Sequence, residues 1–495
     1  MDEKTSMATI DQHDIDQKLS EASDHVHEEA LSIDPMDDRK LLRKVDYHLM
    51  PIICLLLLCL FVDRINIGNA RIQGLEADLG MAGSDYNIAL FVFFITYVLL
   101  DVPCNIMLKN MRPSVFLSIT TACCGIVTIG QGVTKSFAGL VVCRVLIGVF
   151  EAGFVPGCVY LISMYYKRHE LQLRINIFYA TSIIAGAFSG LLAYAIANMD
   201  GVGGYEGWRW IFILEEGAFT VLVGLFSYYL IPDWPETAKF LSVSERKALS
   251  DRLTAEAFDA SMNHWSKAAA RRIFGDLKIW LGALMYLGIA TTNYATLFFT
   301  PTILRQLGWT AVRAQIMSIP IYLAATAIAL LAAVLSDRLK HRFAFIIAGC
   351  VMAMVGYAIL FAMLEVPVGA RYFAIYLITC GCWLTQPTTV VWLNNNLGGH
   401  YKKGVGAAIQ LSLGNCSGLV ASNMFLARQA PTYHLGYGLG FALVWICVFS
   451  AITFFFYIHR ENRLRDQGKR DDRFNLPPEE LGNLGDDHPN FRFTY

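Results

Sequence analysis

Apolar runs longer than a water-soluble helix needs dominate this chain, among them Met50 to Val62, Ile88 to Leu100 and Phe441 to Tyr457. Lipid offers the backbone no hydrogen-bond partner, so about 20 such residues cross the roughly 30 Å hydrocarbon layer as a helix. Twelve segments fit, near 47–67, 86–108, 114–133, 137–162, 175–197, 209–231, 279–303, 313–335, 343–364, 371–393, 404–427 and 437–458. Only 16% of residues are charged, against about 25% in soluble domains, which excludes an ordinary cytosolic enzyme and a disordered chain. The fold class is therefore all-α and integral to a membrane.

The formal net charge of -1 gives no field for capturing nucleic acid. It is a sum of unlike parts. Residues 1–45 begin with an acidic stretch that holds Asp2, Glu3 and ten further acids before Arg39, and this reads as a disordered, solvated tail. Arg39, Lys40, Arg43 and Lys44 follow at once beside the first span. The basic residues of the short connections fall mainly on the same side, nineteen against seven, so both termini are expected in the cytoplasm. All twelve cysteines lie inside spans, where thiols behave as small hydrophobes, and no metal-ligand spacing is present.

Pro232 and Pro235 end the sixth span, and Ser242-Val-Ser-Glu245 has the pattern of a capping box that opens a short polar helix. The layout is a six-helix half over 46–231, a cytoplasmic linker over 232–275, a second six-helix half over 276–459 and a tail over 460–495, also read as disordered. Two comparable halves suit a secondary transporter. With no GxxxxGK[ST], an ATP-driven pump is unsupported.

A charge at membrane depth is costly and is usually kept for function. Asp63, Arg64, Asn66 and Asn69 stand in the outer half of the first span. In the fourth span Arg144, Gly148 and Glu151 share one helical face, and Gly148 leaves room for a neighbouring helix or a substrate. An arginine stays charged and can hold a carboxylate bidentately, with Asn66 adding a hydrogen bond. A buried carboxyl can bind and release a proton during a cycle, so Asp63 and Glu151 are the proton-coupling candidates. The competing reading makes Asp63 with Arg64, or Arg144 with Glu151, structural ion pairs. Asp101 and one of Glu215 and Glu216 are further charged groups at depth; among the uncharged Asn293, Tyr294, Gln386, Gln410 and Asn415, Asn293, Tyr294 and Asn415 join Arg64, Asn66 and Arg144 as substrate-binding candidates, whereas Trp383 and Trp392 read as packing aromatics.

Between the eighth and ninth spans, Asp337, Arg338 and Arg342 resemble the G-x-x-x-D-R-x-x-R loop of the major facilitator superfamily, with Ala333 in the glycine's place. In that family the loop controls the inward gate; the matching loop here, Asn105 to Pro113, lacks the acid. DRINIGNA at 63–70, EAGFVPG at 151–157, GWRWIFILE at 207–215, VRAQIMSIPIYL at 312–323, GNCSG at 414–418 and HPNFRFTY at 488–495 resemble the anion:cation symporter family, in its fungal allantoate and nicotinate permease branch. The resemblance implies the twelve-helix major facilitator fold. It implies proton-coupled uptake of a small organic anion, nicotinate or a related carboxylate, across the plasma membrane. It also implies proton and carboxylate roles for Asp63, Arg64, Arg144 and Glu151, no cofactor beyond the proton gradient, and a monomer in the bilayer. Export of a secondary metabolite is the alternative, since fungal relatives also serve biosynthetic gene clusters.

Overall fold

The computed structural model describes residues 35–196, 199–258, 273–339, 341–398, 400–430, 432–475 and 484–495. The acidic stretch 1–34 and most of the linker's second half lie outside these.

The described residues form helices in twelve membrane-length segments. The first half comprises Pro35–Ile72, Asp85–Asn110, Pro113–Val133, Phe137–Ser163, Arg168–Ile196 and Gly207–Leu230. The second half comprises Leu277–Gln306, Ala311–Leu339, Arg342–Phe361, Val368–Asn395, Lys402–Ala421 and His434–Asp466. Ten of them combine the length and apolar content needed to cross a membrane. Of the other two, Asp85–Asn110 carries the equally apolar run Ile88 to Leu100, and Leu277–Gln306 dilutes its run with Thr291, Thr292, Asn293 and Tyr294. The seventh span is buried along most of its length against the first, eighth, tenth, eleventh and twelfth, where protein rather than lipid meets its polar side chains.

Two spans depart from regular helix at the residues of interest. Pro156 has no N–H to offer Ala152, and the fourth span breaks into Phe137–Glu151 and Phe154–Ser163 with Glu151 on the edge of the break. The sixth span passes through a π-helical stretch, Ile211–Ala218, before resuming at Phe219. π-bulges of this kind are frequent at functional sites.

The halves meet most closely on the face opposite the first span's start. Asn87 donates to the Ser422 carbonyl (2.6 Å) and Arg305 to the Ile72 carbonyl (2.5 Å). Gly68 lies against the Phe298 backbone and Gly418 against the Phe94 ring, so closely that an added methyl would overlap either neighbour. On the face that carries the described chain ends, Arg174 pairs with Asp46 (2.8 Å), Lys44 with Glu245 (2.7 Å) and Arg252 with Asp38 (2.7 Å) and Glu170. The first of these pairs ties the fifth span to the first, and the others fasten the linker helix Val243–Phe258 to both. The expected capping box is present: Ser242 N–H donates to Glu245 Oε2 (2.7 Å) and Glu245 N–H to Ser242 Oγ (3.2 Å).

The tail is a correction to the sequence reading. The twelfth span continues to Asp466, and 484–495 pack as an ordered strap across the second half. Asp486, fully buried, lies between Lys278 and Lys402. Thr494 exchanges hydrogen bonds with the Asn396 side chain (2.8 and 3.0 Å), Phe493 does so with Asn462 (2.9 and 3.0 Å), and the Tyr495 carbonyl accepts from Arg342 N–H (2.7 Å). Phe493 is also sandwiched by Lys278 and Arg465, each 4.4 Å from its ring centre. A short polar stretch without periodicity reads as disorder; partners distant in sequence supply its order. Burial alone would raise the Asp486 carboxyl, but the two lysines outweigh it and hold the group below its ordinary value of 3.8. A depressed carboxyl stabilises above its unfolded value and loses that contribution as pH falls through the folded one. The strap is therefore expected to loosen only in acid below about pH 4. Asp486→Asn, which strands one of two buried lysines, should cost about 3 kcal/mol and lower the thermal unfolding midpoint of the purified protein. An unchanged midpoint would remove the strap's structural role.

Candidate functional site

The charged residues singled out in the first and fourth spans come together in the middle of the first half. Asp63, Arg64, Arg144 and Glu151 are all at least 97% buried. The pairing is crossed between helices, unlike the within-span pairs considered from sequence: Arg64 Nε donates to Glu151 Oε1 at 2.6 Å, and Arg144 Nη1 stands 3.6 Å from Asp63 Oδ2. Asp63 and Arg64 are neighbours on one helix and so project in different directions. Each finds its partner on the fourth span, where a seven-residue spacing separates the acceptor from the donor.

The two pairs are unequal. Arg64 is enclosed by Phe61, Phe93 and Tyr97, 4.7 to 5.3 Å from its guanidinium, and donates to the Tyr294 hydroxyl at 3.2 Å. This is a cation on aromatic faces with a strong hydrogen bond. Arg144 is loosely held: its Nε and Nη2 have no hydrogen-bond partner, and neither do the two Asp63 oxygens. A buried guanidinium with two idle N–H groups has the fork that a carboxylate needs. Gly148, one turn on, admits the second span, whose Phe93 carbonyl would overlap any methyl there. The space is thus taken by a helix, not left to a substrate.

Asn66 is buried beside this cluster, its side-chain oxygen accepting from Ser189 Oγ (2.6 Å) and Asn69 Nδ2 (2.9 Å) while its Nδ2 is unpartnered. From the second half Tyr294 reaches Arg64, but its neighbour Asn293 turns to Gln386 (2.5 Å), which continues to Tyr286 (3.1 Å). Asn415 is not in the cluster. It donates to Asp101 (3.2 Å), one helical turn beyond Tyr97 and closer to the face of the chain ends. Gln410 is tied to the Gly282 carbonyl (3.1 Å). Arg338 is exposed, and Arg342 faces Asn395 of its own half; the Asp337 side chain lies outside what is described.

Two features escaped the sequence. The aromatic cage of Arg64 was signalled only by Phe93 and Tyr97 four residues apart on the second span. The choice between Glu215 and Glu216 has no single answer, because both are buried. The wide π turn brings consecutive side chains to the same side.

A membrane-embedded helical bundle of two six-span halves, with an ion-paired set buried between its helices, fits the class of multi-pass transporters. Residues 53–422 match the model of the Major Facilitator Superfamily, and the chain belongs to that family. It is 32% identical to the high-affinity nicotinic acid transporter of Saccharomyces cerevisiae over 93% of this chain and 85% of that one. It is 33% identical to the MFS-type transporter cnsO of Penicillium expansum over 92% and 90%. Among solved structures, a bacterial homolog of the human lysosomal transporter Spinster, in an inward-facing and occupied conformation, superposes with a TM-score of 0.61 at 18% identity, covering 86% of this chain and 97% of its own.

Proposed function

We propose that the protein carries a small organic anion, nicotinate or a related carboxylate, into the cell together with a proton. Its two halves would alternate access across the plasma membrane, with both termini in the cytoplasm. The observation that carries this reading is the idle fork of Arg144 beside an Asp63 that it holds only loosely. A substrate carboxylate can take the free N–H groups, while Arg64, caged and paired, sets the charge and position of the neighbouring wall, and the unpartnered Asn66 amide offers a further donor. Asp63, Arg64, Arg144 and Glu151 are two acids and two bases, so an incoming anion adds one negative charge that one proton offsets. Asp63 and Glu151 are the members of the set able to accept it. The likeness to a nicotinic acid transporter over nearly the whole chain supports a pyridine carboxylate. The excess of lysine and arginine on the side of the chain ends supports the orientation.

The test is uptake of a panel of labelled carboxylates, nicotinate first, in cells lacking their own permeases, at several external pH values. Accumulation that rises as the medium is acidified is the expected result. Failure of every carboxylate, joined to resistance against a toxic metabolite, would replace the proposal with export.

A further inference from the structure

Glu216 is 98% buried, and neither of its carboxyl oxygens has a hydrogen-bond partner; the same holds for the oxygens of Glu215, which is 91% buried. An ionised carboxylate in such a place is expensive, and a neutral one is tolerable. The surroundings of Glu216 are specific. The π turn that carries it packs against the first and third spans. From the first span it is faced by Asp63, from the third by Cys124, from the fourth by Arg144, and on its own turn by Glu215, which is directed to Asn66. The fifth span has no charged residue between Arg174 and Ile196 and presents Ser189 to Asn66. Arg209, at the start of the sixth span, is turned away to Glu206 and to the Gly132 and Thr134 carbonyls. Among the described residues Arg144 is therefore the one cation that faces Glu216, and it has two N–H groups to spare.

We infer that Glu216 is the seat of the transported proton, and that its carboxylate and the substrate's carboxylate take turns as the second anionic partner of Arg144 beside Asp63. This rests on the carboxylate–proton symport reading above, and it assigns the proton to Glu216 in place of Asp63 or Glu151. In the loaded carrier the substrate anion occupies Arg144 and Glu216 holds its proton. When the substrate leaves on the inner side, Glu216 gives its proton to water and its carboxylate takes the vacated N–H groups. Before the next substrate binds, an outside proton returns to the same oxygen. One proton crosses per carboxylate, and no other bond changes. The buried set has the same total charge loaded and empty, because one anion replaces another on a fixed cation.

The experiment uses the full-length protein reconstituted in vesicles with labelled nicotinate. In the wild type a one-unit pH gradient should drive about tenfold accumulation at one proton per substrate. E216Q removes the titrating group, keeps the shape and is expected to abolish this accumulation, while nicotinate counterflow without a gradient falls less than about threefold, a loss of under 1 kcal/mol in binding terms. E216D, which still titrates, should accumulate with a displaced pH profile. An E216Q carrier that accumulates like the wild type overturns the inference, and so does equal loss of counterflow in E216Q and E216D at normal yield. Should E216Q fail to fold, E216D decides alone, an unchanged pH profile being the overturning result. A wild type with no gradient-driven accumulation of any carboxylate sinks the symport reading itself, a result distinct from these.

Discussion

Arg144→Gln is expected to lower carboxylate uptake by about a hundredfold, the equivalent of some 3 kcal/mol from losing a charge-assisted, bidentate contact in a buried site. The substitution keeps hydrogen-bonding capacity and most of the volume but removes the charge. The contact it removes from Asp63 is the looser of the two pairs, at 3.6 Å, so the fold should survive. Arg144→Lys restores the charge without the planar fork and should recover part of the loss, separating geometry from electrostatics. Arg64→Gln should behave differently. It empties an aromatic cage and strands Glu151, so its larger cost falls on the amount of folded protein. Uptake corrected for carrier abundance measures both. Equal effects of the two glutamine variants would mean that the asymmetry between the caged and the loose arginine has no functional weight.

Gly68→Val should block transport by a route that leaves binding largely intact. A methyl group at Gly68 would stand 2.7 Å from the Phe298 carbonyl oxygen, a backbone atom of the other half that no side-chain rotation can remove. The closed arrangement of that face then becomes unfavourable, while the arrangement in which the first and seventh spans are apart is unaffected. A penalty of about 3 kcal/mol changes the ratio of the two states about a hundredfold. Net uptake should fall by a similar factor, and labelled nicotinate binding to the purified carrier should stay within about threefold. Gly418, whose added methyl would meet the Phe94 ring, offers a second test of the same contact surface. Normal uptake by Gly68→Val would show that the two halves do not need this close approach.

Much of this was legible in the sequence because membrane insertion imposes strong patterns. Twelve apolar stretches, the proline stop after Leu230 and the Ser242–Glu245 cap each depend on residues near one another in the chain. The four buried charges stood out for the same reason, since charge is rare at depth. What stayed hidden depends on which helix meets which. That Arg64 belongs to Glu151 and Arg144 to Asp63 follows from how the first and fourth spans are turned. The engagement of Asn415 by Asp101 across the two halves has no local signature. The strap at 484–495 reads locally as a loose tail because its order comes from Asn396, Asn462, Lys278 and Lys402, each on another element.

The cluster's composition also has an electrical consequence. A membrane voltage does about 2.3 kcal/mol of work per 100 mV on each elementary charge that crosses. If every carboxylate travels with one proton and the fixed charges keep the same sum in both states, no net charge crosses in a cycle. The voltage would then neither drive nor oppose accumulation. A cell whose membrane potential had collapsed could still scavenge its substrate for as long as its surroundings stayed more acidic than its interior.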